Sequence, residues 1–177
     1  MNEDLVQAVR RAQKGNHDAF VRLVKEYEST MYRVAGAFLR SDSECADAMQ
    51  ETVIKAYKSI RNLREPLYFK TWLLQILTNE CRKIYNQHKG IIPVAEPSEE
   101  SYHPDLSGKL VVADALQELE DELRVVITLY YLEDLPVKEV ARLLDTPEGT
   151  VKSRLARARE KLAVIMQPSA EGRVSYE

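Results

Sequence analysis

The stretch PVKEVARLLDTPEGTVKSRLARAREKL, residues 136–162, decides the fold of this chain, because it has the pattern of two helices joined by a tight turn. In the second helix, four apolar residues recur at a spacing that lets them pack inward: Val151, Leu155, Ala158 and Leu162. The opposite side carries hydroxyl and cationic side chains: Thr150, Ser153, Arg154, Arg157 and Lys161. A helix with these two faces is typical of one that lies in the major groove of duplex DNA.

The turn between the two helices supports this interpretation. Ala141 is small where the first helix must approach the second, and Pro136 suits the start of the first helix. Thr146 is predicted to cap the second helix, with Pro147 at its first position. Asp145 falls where such a turn needs a left-handed residue, a conformation that Asp tolerates better than most residues. An ordinary amphipathic hairpin with a solvated basic face is the alternative, but turn, caps and apolar pattern together favour DNA binding.

The composition favours a soluble cytoplasmic protein. No apolar run approaches the ~20 residues of a membrane span, and the charged N-terminus MNEDLVQAVRR lacks a secretory core. Cys45 and Cys81 have no CxxC spacing, so we expect two reduced thiols rather than a disulfide or a metal pair. The sequence contains no nucleophile–base pair, phosphate-cradling glycine loop or metal-site spacing. We therefore expect neither an enzyme nor a cofactor, a metal or a small-molecule substrate.

The net charge of −3 conceals a strong partition along the chain. Residues 52–89 carry eight Lys or Arg against two Glu, whereas residues 96–122 carry nine acids against a single Lys. Residues 152–161 are basic again, with five cations and one Glu. Two basic blocks separated by an acidic connector suggest two surfaces that face DNA.

Helical periodicity predicts an all-α fold, and four helices are expected in the first part of the chain. The first spans residues 3–14 and stops at Gly15, and the second spans residues 17–39 with Asn16 as its cap. Ser41 begins the third with capping-box spacing. On the third helix the residues expected to face inward are Ala46, Met49, Val53, Ala56, Tyr57 and Ile60. On the fourth they are Phe69, Trp72, Leu73, Ile76, Leu77 and Ile84.

The chain is predicted to form two small helical domains of four helices each, joined by a flexible linker. The boundaries are a first domain at 1–86, a linker at 87–108, a second domain at 109–166 and a disordered tail at 167–177. The linker has prolines and glycines but no periodicity. In the second domain, helices at about 109–120 and 121–133 precede the helix-turn-helix.

Two helices of the first domain have polar faces of different character. The third carries Asp47, Gln50 and Glu51 at i, i+3, i+4 spacing, for which a solvated face is by itself the simpler interpretation. The fourth carries amides and cations: Gln75, Asn79, Arg82, Lys83 and Asn86. Such side chains read base edges or hold phosphates, and an aromatic-bearing loop beside them is suited to hold an unstacked base.

Three segments of the chain together resemble the bacterial RNA polymerase sigma factors of the extracytoplasmic-function (ECF) type. CADAMQETVIKAY at 45–57 resembles the AEDLVQETF-like signature of that family, and FKTWLLQILTNECRK at 69–83 resembles its FxxWLxxIxxN signature. GTVKSRLARAREKL at 149–162 resembles its GTVKSRLxRAR signature, although Asp145 stands where the family commonly has Gly. Each signature alone is moderately specific, whereas all three in this order are highly specific.

The resemblance implies a specificity subunit that binds core RNA polymerase and promoter DNA. The residues that it implies in polymerase binding are Asp47, Gln50 and Glu51. Those implied at the −10 promoter element are Arg64, Lys70, Asn79, Arg82 and Lys83, beside a loop at 61–70 that would capture a flipped base. Those implied at the −35 element are Thr150, Lys152, Ser153, Arg154, Arg157 and Arg159. Such factors are usually held by an anti-sigma protein, which is often membrane-bound, and many serve stress or envelope responses.

Two other classes of protein, and two roles for Trp72, remain open from the sequence. A stand-alone regulator similar to the LuxR type would bind operators without polymerase, and a helical interaction protein would only sequester partners. The first domain resembles no sensor or receiver fold, and mere sequestration leaves two basic surfaces unexplained. Trp72 is expected either in the core, which its spacing favours, or as a wedge in DNA melting.

Overall fold

A computed structural model describes residues 2–88 and 114–166, and these residues form helices and turns without a β-strand. The helices are α1 Asn2–Gln13, α2 His17–Glu26, α3 Glu28–Phe38, α4 Asp42–Ser59, α5 Phe69–His88, α6 Asp121–Ile127, α7 Val137–Leu144 and α8 Glu148–Ile165. Short 3₁₀ turns at Ile60–Asn62 and Pro66–Tyr68 connect α4 to α5, and residues 114–117 are helical. The predicted all-α fold is confirmed, while the predicted tail and all but the first two residues of the predicted linker lie outside the described residues.

The local signals at the starts of α2 and α4 act as predicted. Gly15 ends the first helix with a φ of 92°, and the Asn16 side chain accepts the Ala19 amide at 2.9 Å. Ser41 caps α4. The apolar stripe over residues 17–39 is divided, however, because Tyr27 has a φ of −100° and a ψ of 6° and separates α2 from α3. Helical periodicity cannot detect this break, because the apolar spacing continues through it.

The inward face of α4 differs from the predicted one. The buried residues are Cys45, Ala48, Thr52 and Ala56. Ala46 and Tyr57, which the pattern assigned to the core, are exposed. Helix α4 packs along α5, where small side chains allow close approach of the two backbones. The sequence pattern gives most weight to large apolar residues, so it assigned Tyr57 rather than Ala48 to the buried face. The α5 stripe is largely as predicted, with Phe69, Leu73 and Leu77 fully buried.

The helix-turn-helix of α7 and α8 has the predicted turn but a different cap. Asp145 adopts the left-handed conformation, with a φ of 49°. The prediction for Thr146 is wrong, because Pro147 occupies the cap position and the Thr146 hydroxyl donates to the Leu144 carbonyl at 3.0 Å. A threonine hydroxyl can donate as well as accept, and here it completes the end of α7 instead of the start of α8. The inward pattern of α8 is confirmed, with Val151, Leu155 and Ala158 buried and Leu162 partly buried.

The N-terminal helices α1–α5 and the C-terminal helices α6–α8 pack against each other. Helix α3 contacts α6, and α5 contacts α7. Their buried apolar residues form one continuous cluster that includes Leu73 and Leu77 on one side and Leu123 and Leu143 on the other. Within the described ranges no helix has the length and apolar character needed to cross a membrane.

The two thiols are expected to be inert in the folded protein. Burial, with help from Asp42 and Glu44, raises the pKa of Cys45 to about 11. Burial, with help from Cys45 and Glu80, raises the pKa of Cys81 to about 12. Because the thiolate is the reactive form, an aromatic disulfide reagent at pH 8 should leave both unmodified in buffer and react with both in denaturant. Rapid titration of either thiol in the native protein would contradict this placement.

Candidate nucleic-acid interface

Helix α4 presents a polar face to solvent. Asp47, Gln50 and Glu51 are all exposed, and their i, i+3, i+4 spacing places them on one side of the helix. Ile54, three residues further along, is exposed as well. The predicted acidic face is therefore accessible, with an apolar side chain at its edge.

The loop between α4 and α5 is buried where it begins and exposed at its tip. Leu63 is buried, whereas Leu67 and Tyr68 are 54% and 58% exposed. The loop, α5 and α7 together line an open cavity of about 530 Å³. Its lining residues include Arg64, Glu65, Tyr68, Trp72, Gln75 and Arg142. Trp72 is half-buried, and its ring centre lies 5.8 Å from that of Phe69, so one face packs on the core while the side chain also lines the cavity.

The predicted −10 face of α5 is only partly open. Asn79 and Lys83 are exposed, and Asn79 accepts a hydrogen bond from the Gln75 amide at 3.4 Å. Arg82 is half-buried, because its guanidinium donates to the Leu143 carbonyl at the end of α7 at 2.6 Å. A cation predicted to hold DNA thus binds the C-terminal helices in this arrangement.

A buried carboxylate holds a second cation from the same predicted face. Glu133 follows the π-helical turn Thr128–Leu132, and only 1% of its side chain is exposed. Its carboxylate contacts Lys70 at 3.0 Å and Arg33 at 2.9 Å, and the Lys70 ammonium also donates to the Glu133 carbonyl at 2.7 Å. Removing a carboxylate from water is costly unless cations and hydrogen bonds replace the lost hydration, and the two N-terminal side chains do so here.

Arg124 makes a second polar bridge between the two sets of helices. Its side chain is 1% exposed, and it donates to the Ala37 carbonyl of α3 at 3.0 Å and to the Leu119 carbonyl at 2.9 Å. It also pairs with Asp121 at 2.8 Å, and Asp121 in turn meets Arg40 of the N-terminal helices. Burial raises the pKa of Asp121, but the hydrogen bonds from Arg124 and Arg40 outweigh burial and hold that pKa below its ordinary value.

The predicted −35 residues of the recognition helix α8 lie on three different sides of the helix. Lys152, Ser153 and Arg157 are exposed, and Thr150 is partly exposed beside them. Arg154 is 22% exposed and pairs with Glu122 at the start of α6 at 2.6 Å. The three sides are thus an open face, a flank against α6, and a side where Arg159 lines an apolar cavity of about 280 Å³.

Several contacts had no signal in the sequence pattern. Arg33 and Glu133 lie 100 positions apart, and nothing local to either residue predicts that they meet. In α1, the side chain of Gln13 reaches two carbonyls of the α4–α5 connection, which no periodicity indicates. Across residues 2–88 and 114–166, no group of three or more His, Cys, Asp or Glu side chains is arranged to hold a metal ion.

Comparisons with known proteins match both halves of this arrangement. Residues 23–90 match the family model for sigma-70 region 2, and residues 109–162 match that for sigma-70 region 4. The ECF RNA polymerase sigma-E factor of Haemophilus influenzae is 35% identical over 181 residues, which cover 90% of this chain and 94% of that protein. The chain belongs to the ECF sigma factors. The sigma-E factor of Escherichia coli K12 is 32% identical to it over 189 residues, covering 95% and 98% of the two chains.

Two solved structures share the fold of this sigma factor. CnrH, in complex with the cytosolic domain of CnrY, has a TM-score of 0.65 and 23% identity, with 92% of this chain and 96% of that chain covered. The sigma factor RpoE of Bartonella quintana, in complex with the anti-sigma factor NepR, has a TM-score of 0.68 and 20% identity, with 85% and 98% covered.

The contact of Glu133 with Lys70 and Arg33 should stabilise the packing of the two sets of helices. In Glu133→Gln, an amide that carries donors would face two cations, so we expect a loss of about 2 kcal/mol, near the lower end for such pairs because both cations are partly exposed. The expected result in small-angle X-ray scattering is a larger radius of gyration. Asp134→Asn, an exposed neighbour with the same charge change, is the control. Equal scattering from both variants would show that Glu133 does not hold the helices together.

Proposed function

We propose that this ECF sigma factor binds core RNA polymerase, directs it to promoters and opens the DNA strands there, without catalysing a reaction of its own. One observation carries the proposal: a single chain holds an exposed acidic face on α4, an open cavity with aromatic lining beside cationic α5, and a helix-turn-helix. A polymerase subunit that recognises two promoter elements needs these three surfaces. The cytoplasm, where polymerase and chromosomal DNA meet, is the compartment proposed for this activity.

At the −10 element, the walls of this cavity that the loop and α5 supply would receive one unstacked base after α7 has moved away from them. Tyr68 and Trp72 supply aromatic surface for stacking, which is worth about 1–3 kcal/mol per base. Arg64 lines the cavity, Asn79 is hydrogen-bonded to Gln75 of its lining, and Lys83 is exposed further along α5; these side chains have donors for phosphates and base edges. A base held in this cavity no longer pairs with its partner strand, so binding energy favours strand opening.

At the −35 element, the exposed face of α8 would enter the major groove. Lys152, Ser153 and Arg157 are exposed on this face; the two cations would contact phosphates and Ser153 would contact a base edge. Arg154 would reach DNA by leaving Glu122, a carboxylate that is itself 70% exposed. Because Glu122 is well exposed and gains hydration when it is released, Arg154 can exchange this carboxylate for a guanine or a phosphate.

The packed arrangement of α1–α5 on α6–α8 would be the form that does not engage the promoter. Lys70 and Arg82 are bound to the C-terminal helices in it, and Arg142 of α7 helps to line the cavity for the base. Promoter binding therefore requires the two sets of helices to separate. Both solved structures contain a partner, and that of the Bartonella RpoE is named as an anti-sigma factor. We extend such a partner to this chain, where it would stabilise the packed form.

Reconstitution with core polymerase tests the proposal directly. The purified chain should confer initiation from a cognate promoter on core polymerase, and the start site should be unique in run-off transcription. A stand-alone regulator would bind duplex operators by itself and would confer no initiation. A sequestering protein would neither bind the duplex nor confer initiation.

The exposed acids of α4 should carry the contact with polymerase. The double variant Asp47→Ala, Glu51→Ala removes two charges from the face without touching the core, so assembly of the holoenzyme should weaken at least tenfold while the melting temperature changes little. The matched control removes two exposed acids of α2, Asp18→Ala with Glu26→Ala. Equal retention of core polymerase by both double variants in a pull-down would refute the assignment.

Arg154 should contribute to recognition of the −35 element. Arg154→Ala is expected to cost about 1–3 kcal/mol in filter binding of the holoenzyme to the cognate promoter and to relax preference at one base pair. Glu122→Ala separates this role from a structural one, because it breaks the same ion pair but leaves the arginine available. If both variants lose stability alike and keep the wild-type base preference, Arg154 serves only the packing of α8 on α6.

A further inference from the structure

Gln13, the last residue of α1, ties that helix to the loop between α4 and α5. Its side-chain amide donates to the Ile60 carbonyl at 3.1 Å and to the Leu63 carbonyl at 2.7 Å. These acceptors lie 47 and 50 positions away along the chain, and the contact is partly buried. Both amide protons are therefore used at one place, the start of the loop.

The loop has few backbone hydrogen bonds of its own that could replace this contact. Within it, the Leu63 amide donates to the Ile60 carbonyl at 3.2 Å and the Tyr68 amide donates to the Glu65 carbonyl at 3.0 Å. Helix α1 also packs against both 3₁₀ turns of the loop. The conformation of the loop is thus supported by the helices around it, and the support from α1 includes the two hydrogen bonds of Gln13.

The residues that Gln13 holds are close to those proposed to receive the base. Leu63 lines the cavity together with Arg64 and Tyr68. Its side chain is buried, while the tip of the loop at Tyr68 is exposed. A shift of the Leu63 backbone would therefore move the cavity wall and both neighbouring side chains together.

We propose that Gln13 is a positioning residue for capture of the −10 nucleobase. Its hydrogen bonds fix the backbone at the buried start of the loop, and this holds the exposed tip in a geometry that can bind the nucleobase. This proposal rests on the proposed function and adds to it a residue that does not itself contact the base. A loop fixed in advance loses less conformational entropy when the base binds. Loss of the two hydrogen bonds should therefore weaken base capture about tenfold while binding to duplex −35 DNA stays unchanged.

The test compares three variants as holoenzymes with full-length chain and core polymerase. Gln13→Glu keeps the size but replaces both donors with acceptors, Gln13→Ala removes the side chain, and Gln7→Ala truncates an exposed glutamine of the same helix as the control. The probe is a promoter fragment on which the wild type initiates, with 2-aminopurine in the −10 element. The fluorescence of 2-aminopurine reports capture of the base. Binding to a second duplex, which carries only the −35 element, reports the contact of the holoenzyme with that element.

We expect both Gln13 variants to lose about tenfold in base capture, with unchanged −35 binding, and Gln7→Ala to match the wild type. In hydrogen exchange on the free chain, the amides of Leu63 and Tyr68 should exchange faster in Gln13→Glu, while those in the middle of α4 should not. Unchanged capture, or an equal loss in Gln7→Ala, would overturn the proposal. Unfolding of both Gln13 variants would also overturn the proposal, because it would show that Gln13 is needed for the fold as a whole and not for the position of the loop. Failure of the wild type to initiate would instead refute the proposed function.

Discussion

Glu133 carries a carboxylate into a position from which water is almost excluded, and the arrangement of the two sets of helices follows from how that charge is compensated. The turn that precedes it belongs to the C-terminal helices, whereas Arg33 and Lys70 come from α3 and α5. Apolar packing alone would tolerate small rotations of one set on the other. A buried carboxylate does not, because its stabilisation requires both cations within hydrogen-bonding distance. The charge therefore favours the packing that brings both cations to it.

Arg124 enforces the same arrangement by a different route. Its guanidinium donates to backbone carbonyls on both sides of the interface, that of Ala37 in α3 and that of Leu119 just before α6. The two bridges differ in how far DNA can reach them, because the Arg124 side chain is 1% exposed, whereas that of Lys70 is 30% exposed and Arg82 is half-buried. If the two sets of helices separated, water would replace the partners of Arg124, whereas DNA phosphates could replace those of Lys70 and Arg82. This difference makes the cationic face of α5 the part of the interface at which DNA can compete.

The sequence predicted features that depend on neighbours in the chain. The caps at Asn16 and Ser41, the left-handed Asp145 and the inward face of α8 each follow from a few adjacent residues. Features that depend on distant partners had no such signal. The pairing of Glu133 with Arg33, the tether from Gln13, and the small residues of α4 all depend on tertiary contacts. The roles of the predicted site residues remain predictions, although the structure shows which of them are exposed.

The internal pairing of the α5 cations has a consequence for how ionic strength acts on this protein. Each phosphate contact normally makes the logarithm of affinity fall by about 0.9 per unit logarithm of salt concentration, because counterions leave the DNA. Here Lys70 must first leave a carboxylate, and screening by salt weakens that internal attraction as well. The two effects oppose each other. Promoter affinity should therefore depend less steeply on salt than the number of phosphate contacts alone would indicate.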